Sequence, residues 1–279
     1  MSNVALGSLV FVLLFAVPGE AETKFGPAMT DKDGFYVHQV ESPYQAGPTE
    51  LRVLLPDKLL PERRYPVVYV LPVEAGRESR YGDGLREIKN RGLHKKHGAI
   101  FIAPTFAQLP WYADHPADGK LRQESYFVKT VVPFVEKTYP VQAEPRGRLL
   151  LGFSKSGWGA FSLLLRHPHV FGRAAAWDAP LMMERLGKYG TTEIFATQEN
   201  FDRHRIDLLL RAKAGALGRE ERLFLTGIGN FGAHHEQAHR LLNELKVPHG
   251  YVTGEPRKHD WHSGWVSEAV RQLLPADRK

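Results

Sequence analysis

The chain has 279 residues and no cysteine, which excludes disulfide staples, thiolate metal sites and a lipid-bearing cysteine behind a leader. Lys and Arg total 37 against 31 Asp and Glu, a formal net charge of +6, but the basic residues are scattered rather than blocked. That pattern argues against nucleic-acid binding and for a solvated surface, with an acidic wall polymer still open as a partner.

Residues 1–21 read as a signal peptide. Val4 to Val17 is an apolar run too short to span a bilayer comfortably, Pro18 breaks it, and Gly19-Glu20-Ala21 has the small-x-small form that precedes cleavage. The expectation is a secreted or periplasmic protein, with residues 22–279 as one mature domain. No later segment is apolar for long enough to keep it inserted in a membrane.

In chain order, "GFYVHQVES" and "TELRVLLP" alternate apolar and polar residues around "PYQAGP", the pattern of an antiparallel pair. "YPVVYVLP" and "GAIFIAPTF" are continuous β-branched and aromatic runs, as expected of strands buried on both faces of a parallel sheet. Helical stretches "GLREIKNRGLHKK" and "ESYFVKTVVPFVEKTYP" lie between and after them, and the second leads to the strand at Leu149. There follow a helix over 157–167, the strand "RAAAWDAP", a mixed segment from 181 to 221 placed to act as a lid, the strand "RLFLTGIGN", the helix "HHEQAHRLLNELK", the strand "HGYVTG" and the helix "GWVSEAVRQLLP". Strands alternating with helices after an antiparallel start predict an α/β fold: a mostly parallel sheet with helices on both faces. No repeat, low-complexity tract or linker divides it.

Chemistry concentrates at "LLLGFSKSGWGAF", where a strand turns abruptly into a helix. The turning residue of such a junction is strained and needs small neighbours two positions away on either side. Ser154 has Gly152 and Ser156 there, whereas Ser156 would have Ser154 and the bulky Trp158, so Ser154 is the candidate nucleophile. A serine needs an imidazole to take its proton and a third group to orient that imidazole. His259 and His262 both follow the last strand; His259 comes first, and His262 is expected between Trp261 and Trp265 or beside the substrate. The N–H of Lys155 at the helix start is the natural first oxyanion donor, its side chain directed to solvent.

The order of elements and the stretches "ELRVLLPDKLLPERRYPVVYVLP", "VVPFVEKTYPV", "GFSKSGWGAFSLLLRHPHVFGRAAAW" and "KHDWHSGW" resemble the putative-esterase family of α/β-hydrolases, which holds feruloyl esterases, S-formylglutathione hydrolases and mycolyltransferases. The resemblance implies the α/β-hydrolase fold, carboxylic-ester hydrolysis on Ser154 through an acyl-enzyme, His259 as the base, no cofactor or metal, and a small-molecule or carbohydrate ester as substrate. This sequence departs from the family at three points. The His-Gly after the third strand, which contributes to the oxyanion hole, is Pro72-Val73, leaving the N–H of Val73 or of Glu74 as second donor. The turn reads S-K-S-G in place of a glycine pair, and the acid position after the seventh strand holds Asn230.

The triad acid therefore has two candidates: Asp178, which ends the strand "AAAW" at the same sheet edge as Ser154 and is slightly preferred, and Glu236, which opens the helix after the seventh strand, a place comparable to that used by mycolyltransferases. Glu236 also belongs to "HEQAH", which matches the H-E-x-x-H zinc-peptidase helix and supplies a rival enzyme class. A third reading is an inactive fold that binds glycans, with Trp111, Trp261 and Trp265 as stacking surface for a sugar or aryl group.

Overall fold

The computed structural model describes residues 22–77, 80–226 and 229–274; the signal-peptide reading on residues 1–21 lies outside them. Ten strands form one sheet: β1 (Lys24–Phe25), β2 (Met29–Thr30), β3 (Tyr36–Glu41), β4 (Thr49–Leu54), β5 (Val67–Val70), β6 (Ile100–Pro104), β7 (Arg148–Phe153), β8 (Arg173–Trp177), β9 (Leu223–Thr226) and β10 (His249–Val252). Their order is β1-β3-β4-β6-β5-β7-β8-β9-β10, with β2 also on β3. Pairings from β1 to β6 through β3 and β4 are antiparallel, and those from β6 to β10 are parallel. β3 and β4 are the expected antiparallel pair; β1 and β2, two residues each, are too short to leave a pattern in the sequence.

The central strands β5, β6 and β7 are apolar on both sides because both faces are covered. One face carries α1 (Gly84–Asn90), α2 (Leu93–His97) and α10 (Val266–Leu273), whose Leu85, Ile88, Leu93, Val266 and Val270 pack with Val68, Leu149 and Trp177. The other carries α3 (Gln123–Ser125), continuing through a π-helical stretch (Tyr126–Val131) into α4 (Val132–Thr138), then α5 (Lys155–Arg166), α8 (Ile206–Lys213) and α9 (Gly232–Glu244). The π stretch sits just ahead of Pro133, which lacks an N–H and cannot continue a regular ladder. The segment 181–221 folds into α6 (Thr191–Phe195), α7 (Gln198–Asp202) and α8; α8 packs on α5, while Tyr189 ahead of α6 meets Phe231 edge-on at 5.9 Å. Among the described residues no helix is long and apolar enough to cross a membrane.

Candidate active site

The carboxyl ends of β7, β8 and β5 meet at one edge of the sheet. Ser154 follows β7 with φ +53° and ψ −127°, a conformation a β-carbon makes costly, and it is held by its N–H to the carbonyl of Trp177 at 3.0 Å. Small neighbours permit the turn: a β-carbon at Gly152 would come within 2.1 Å of the Ser156 carbonyl oxygen, and one at Gly157 within 2.8 Å of Ala179. Ser156 is fully buried and engaged locally, its hydroxyl donating to the Phe153 carbonyl at 2.9 Å and accepting the Phe153 N–H at 3.0 Å.

Ser154 Oγ lies 3.1 Å from His259 Nε2, and His259 Nδ1 lies 2.5 Å from Asp178 Oδ2. The imidazole, brought in by the loop after β10, is walled by the rings of Phe153, Tyr81, Phe231 and Trp177. Asp178 directly follows β8, is fully buried, and has φ +39°. Its Oδ2 also accepts the Asn230 N–H at 3.0 Å and its Oδ1 the Phe231 N–H at 2.6 Å, while Gly229 leaves it room. Burial alone would raise this carboxyl, but the hydrogen bond from His259, that from Phe231, the imidazole's charge and the Asn230 N–H together hold it below its ordinary value. The loop after β9 thus presents Asn230 as a backbone donor to the carboxylate that β8 supplies.

The N–H of Lys155, at the first position of α5, has no intrahelical acceptor. The segment 71–74 runs beside it, tied by the Leu71 N–H to Leu151 O at 2.9 Å. Among the described residues no protein acceptor meets the N–H of Lys155, Val73 or Glu74. A cavity of about 50 Å³, lined by Arg52, Val73, Glu74, Tyr81, Asp83 and Thr105 among others, lies along this segment.

A family model described as "Putative esterase" matches residues 42–206. The chain belongs to this esterase family. Esterase Rv1288 of Mycobacterium tuberculosis is 25% identical over 145 residues, and the match spans 48% of this chain but only 30% of that protein. Among solved structures, a ferulic acid esterase superposes with a TM-score of 0.65 at 18% identity, over 92% of this chain and 98% of the other. FphF, a fluorophosphonate-binding serine hydrolase of Staphylococcus aureus, gives 0.70 at 16%, over 89% and 98%. The chain has the α/β-hydrolase fold.

Several residues stand elsewhere than the sequence suggested. Glu236 is exposed on α9 and faces Arg240 at 3.6 Å, so of the two carboxylates only Asp178 reaches His259. The two histidines of "HEQAH" do not converge on a metal site: buried His235 accepts the Ala179 N–H on Nε2 at 2.8 Å, which occupies the lone pair a zinc ion would need, and His239 Nδ1 pairs with His249 Nε2 at 2.8 Å. Burial holds His235 neutral, its pKa pushed down to about 4. Trp111, Trp261 and Trp265 are packed inside, at most 3% exposed, and offer no stacking surface. Trp265 stacks on Trp177 and its indole N–H donates to Asp260 O, so these rings support the His259 loop from beneath. His262 pairs with Glu87 at 2.9 Å rather than sitting between the tryptophans. The Lys155 side chain is half-buried rather than directed to solvent; burial lowers its pKa, opposed by Glu74 and reinforced by Arg80.

Tyr112, beside Trp111 in a run whose aromatics were expected as stacking surface, is packed inside as well. It lies in the loop before α3, fully buried with φ +58°, and its hydroxyl donates to the Pro72 carbonyl at 2.6 Å.

Proposed function

We propose that this protein is an exported serine esterase that hydrolyses carboxylic esters through an acyl-enzyme on Ser154. The observation that carries the reading is the bridge His259 makes between a strained serine hydroxyl and a buried carboxylate, at 3.1 Å and 2.5 Å. Ser154 Oγ attacks the ester carbonyl carbon as its proton passes to His259 Nε2. The resulting imidazolium is stabilised by Asp178, which fixes the proton on Nδ1, and the tetrahedral oxyanion is held by backbone N–H groups of Lys155 and the 73–74 segment. Collapse breaks the bond to the alkoxide, which leaves with the His259 proton; a water activated by the same imidazole then releases the acid and restores Ser154.

The small-molecule or carbohydrate ester expected from the resemblance is the substrate class, and the apolar run before Ala21 supports export. Fluorophosphonate labelling followed by peptide mapping tests the chemistry. An adduct on Ser154 is the expected result, and folded protein that takes up no label, or takes it up elsewhere, overturns the assignment.

A further inference from the structure

The oxyanion segment of this chain is Pro72-Val73, and nothing in the strand itself dictates which way its peptide planes face. The plane between Pro72 and Val73 is held from outside. Its carbonyl accepts the Tyr112 hydroxyl at 2.6 Å, and because the peptide is trans, fixing the carbonyl on one side aims the Val73 N–H to the other. That N–H has no protein acceptor among the described residues, and it stands on the segment that Leu71 ties to the strand leading into Ser154.

Tyr112 is itself placed with unusual care. Its positive φ of +58° is one a tyrosine adopts only under compulsion. The compulsion is visible: its N–H donates to Gln123 Oε1 at 3.1 Å, alongside that of Trp111 at 2.8 Å, and its carbonyl accepts from Arg166 Nη2 at 2.9 Å. Arg166 is in turn paired with half-buried Glu124. The ring abuts α5 at Gly159, where a β-carbon would come within 2.1 Å of Tyr112 Cδ2. A helix glycine, a half-buried ion pair and a strained backbone therefore converge on one hydroxyl, whose acceptor among the described residues is the Pro72 carbonyl. Burial raises the phenol's pKa well above its usual value, so the hydroxyl stays a donor.

We infer that Tyr112 is a positioning residue that selects the Val73 N–H as the second oxyanion donor. The inference rests on the reading of Ser154 as the acylating nucleophile and names a specific donor for that same site.

The test is Tyr112→Phe, which keeps the ring, both backbone anchors and the contact with Gly159. With p-nitrophenyl butyrate, kcat should fall about tenfold to a hundredfold with KM within about twofold, a part of the roughly 10²–10³ that loss of an oxyanion donor costs. Affinity for a trifluoromethyl ketone, whose adduct carries the oxyanion, should weaken by the same factor as kcat/KM, because both report the same charge. Phe106→Leu is the packing control: Phe106 meets the Tyr112 ring edge-on at 5.3 Å without touching the hydroxyl, so it should lower thermal stability and leave kcat within about twofold. The inference is overturned by a Tyr112→Phe enzyme with unchanged kcat, by a ketone affinity that does not follow kcat/KM, or by a Phe106→Leu enzyme equally slowed. Wild-type protein that neither hydrolyses the ester nor labels on Ser154 defeats the nucleophile reading as well, and so separates the two failures.

Discussion

Replacing Asp178 by Asn exchanges one carboxylate oxygen for an amine in a fully buried position with three donors around it. If the amide oxygen stays toward His259 and Asn230, the new NH₂ faces the Phe231 N–H across 2.6 Å; if it flips, the NH₂ faces the Asn230 N–H and His259. Each orientation opposes two donors once, a penalty of about 1–3 kcal/mol to stability. The catalytic consequence is larger. In the flipped form His259 must turn its Nδ1 lone pair toward the amide, which puts a proton on Nε2 and removes the base from Ser154; in the unflipped form the tautomer is right but the imidazolium loses its counter-charge. The expected loss is about 10⁴ in kcat, or roughly 5 kcal/mol of barrier. Steady-state hydrolysis of p-nitrophenyl butyrate, with circular dichroism to confirm folding, measures it. Glu236→Gln, altering an exposed residue, should stay within about twofold. A folded Asp178→Asn enzyme within tenfold of wild type would refute the reasoning.

Ser154→Ala should abolish hydrolysis and labelling, whereas Ser156→Ala should keep kcat within about tenfold and lower stability by about 1–3 kcal/mol, since it strands the buried Phe153 N–H; differential scanning calorimetry reads the second effect. His235 titrates near 6.5 unfolded and about 4 folded, so the unfolded chain binds more protons between those values, and stability present above pH 6.5 is lost as pH falls toward 4. The contribution is about 3 kcal/mol, and His235→Gln, whose amide oxygen still accepts the Ala179 N–H, should flatten that part of the denaturation-versus-pH curve. Amino-terminal sequencing of protein recovered outside the cytoplasm should begin at Glu22; a mature form beginning at Met1 would remove the export proposal.

Strands show in the sequence in two ways: Val67 to Val70 and Ile100 to Pro104 read as β because both their faces are covered, and Tyr36 to Glu41 because its burial alternates. What the sequence does not encode locally is lateral order, since nothing in β5 or β6 says that β6 lies between β4 and β5. The Ser154 turn is legible for a similar reason: clearance at Gly152 depends on residues four positions away. Asp178 closes β8 and Glu236 lies on the helix after β9, and only the three-dimensional path of the loop after β10 decides which one meets an imidazole. The three tryptophans mislead because a loop aromatic looks the same whether it roofs a groove or supports a loop from below. Tyr112 was illegible because its role lies in a carbonyl 40 residues earlier in the chain.

The bridge at the site also spans much of the chain's length: His259 stands 105 residues beyond Ser154 and 81 beyond Asp178. The family match ends at residue 206, so a fragment trimmed to the boundaries of homology keeps Ser154, Asp178 and Tyr112 but has no base, and leaves β8 without its neighbour β9. During synthesis the strained serine turn is complete long before its imidazole leaves the ribosome. Because pairings this distant close late in folding, the proposed nucleophile would meet its base only once β9 and β10 are docked. On that mechanism the residues up to β9 would carry a serine turn with no esterase chemistry of its own.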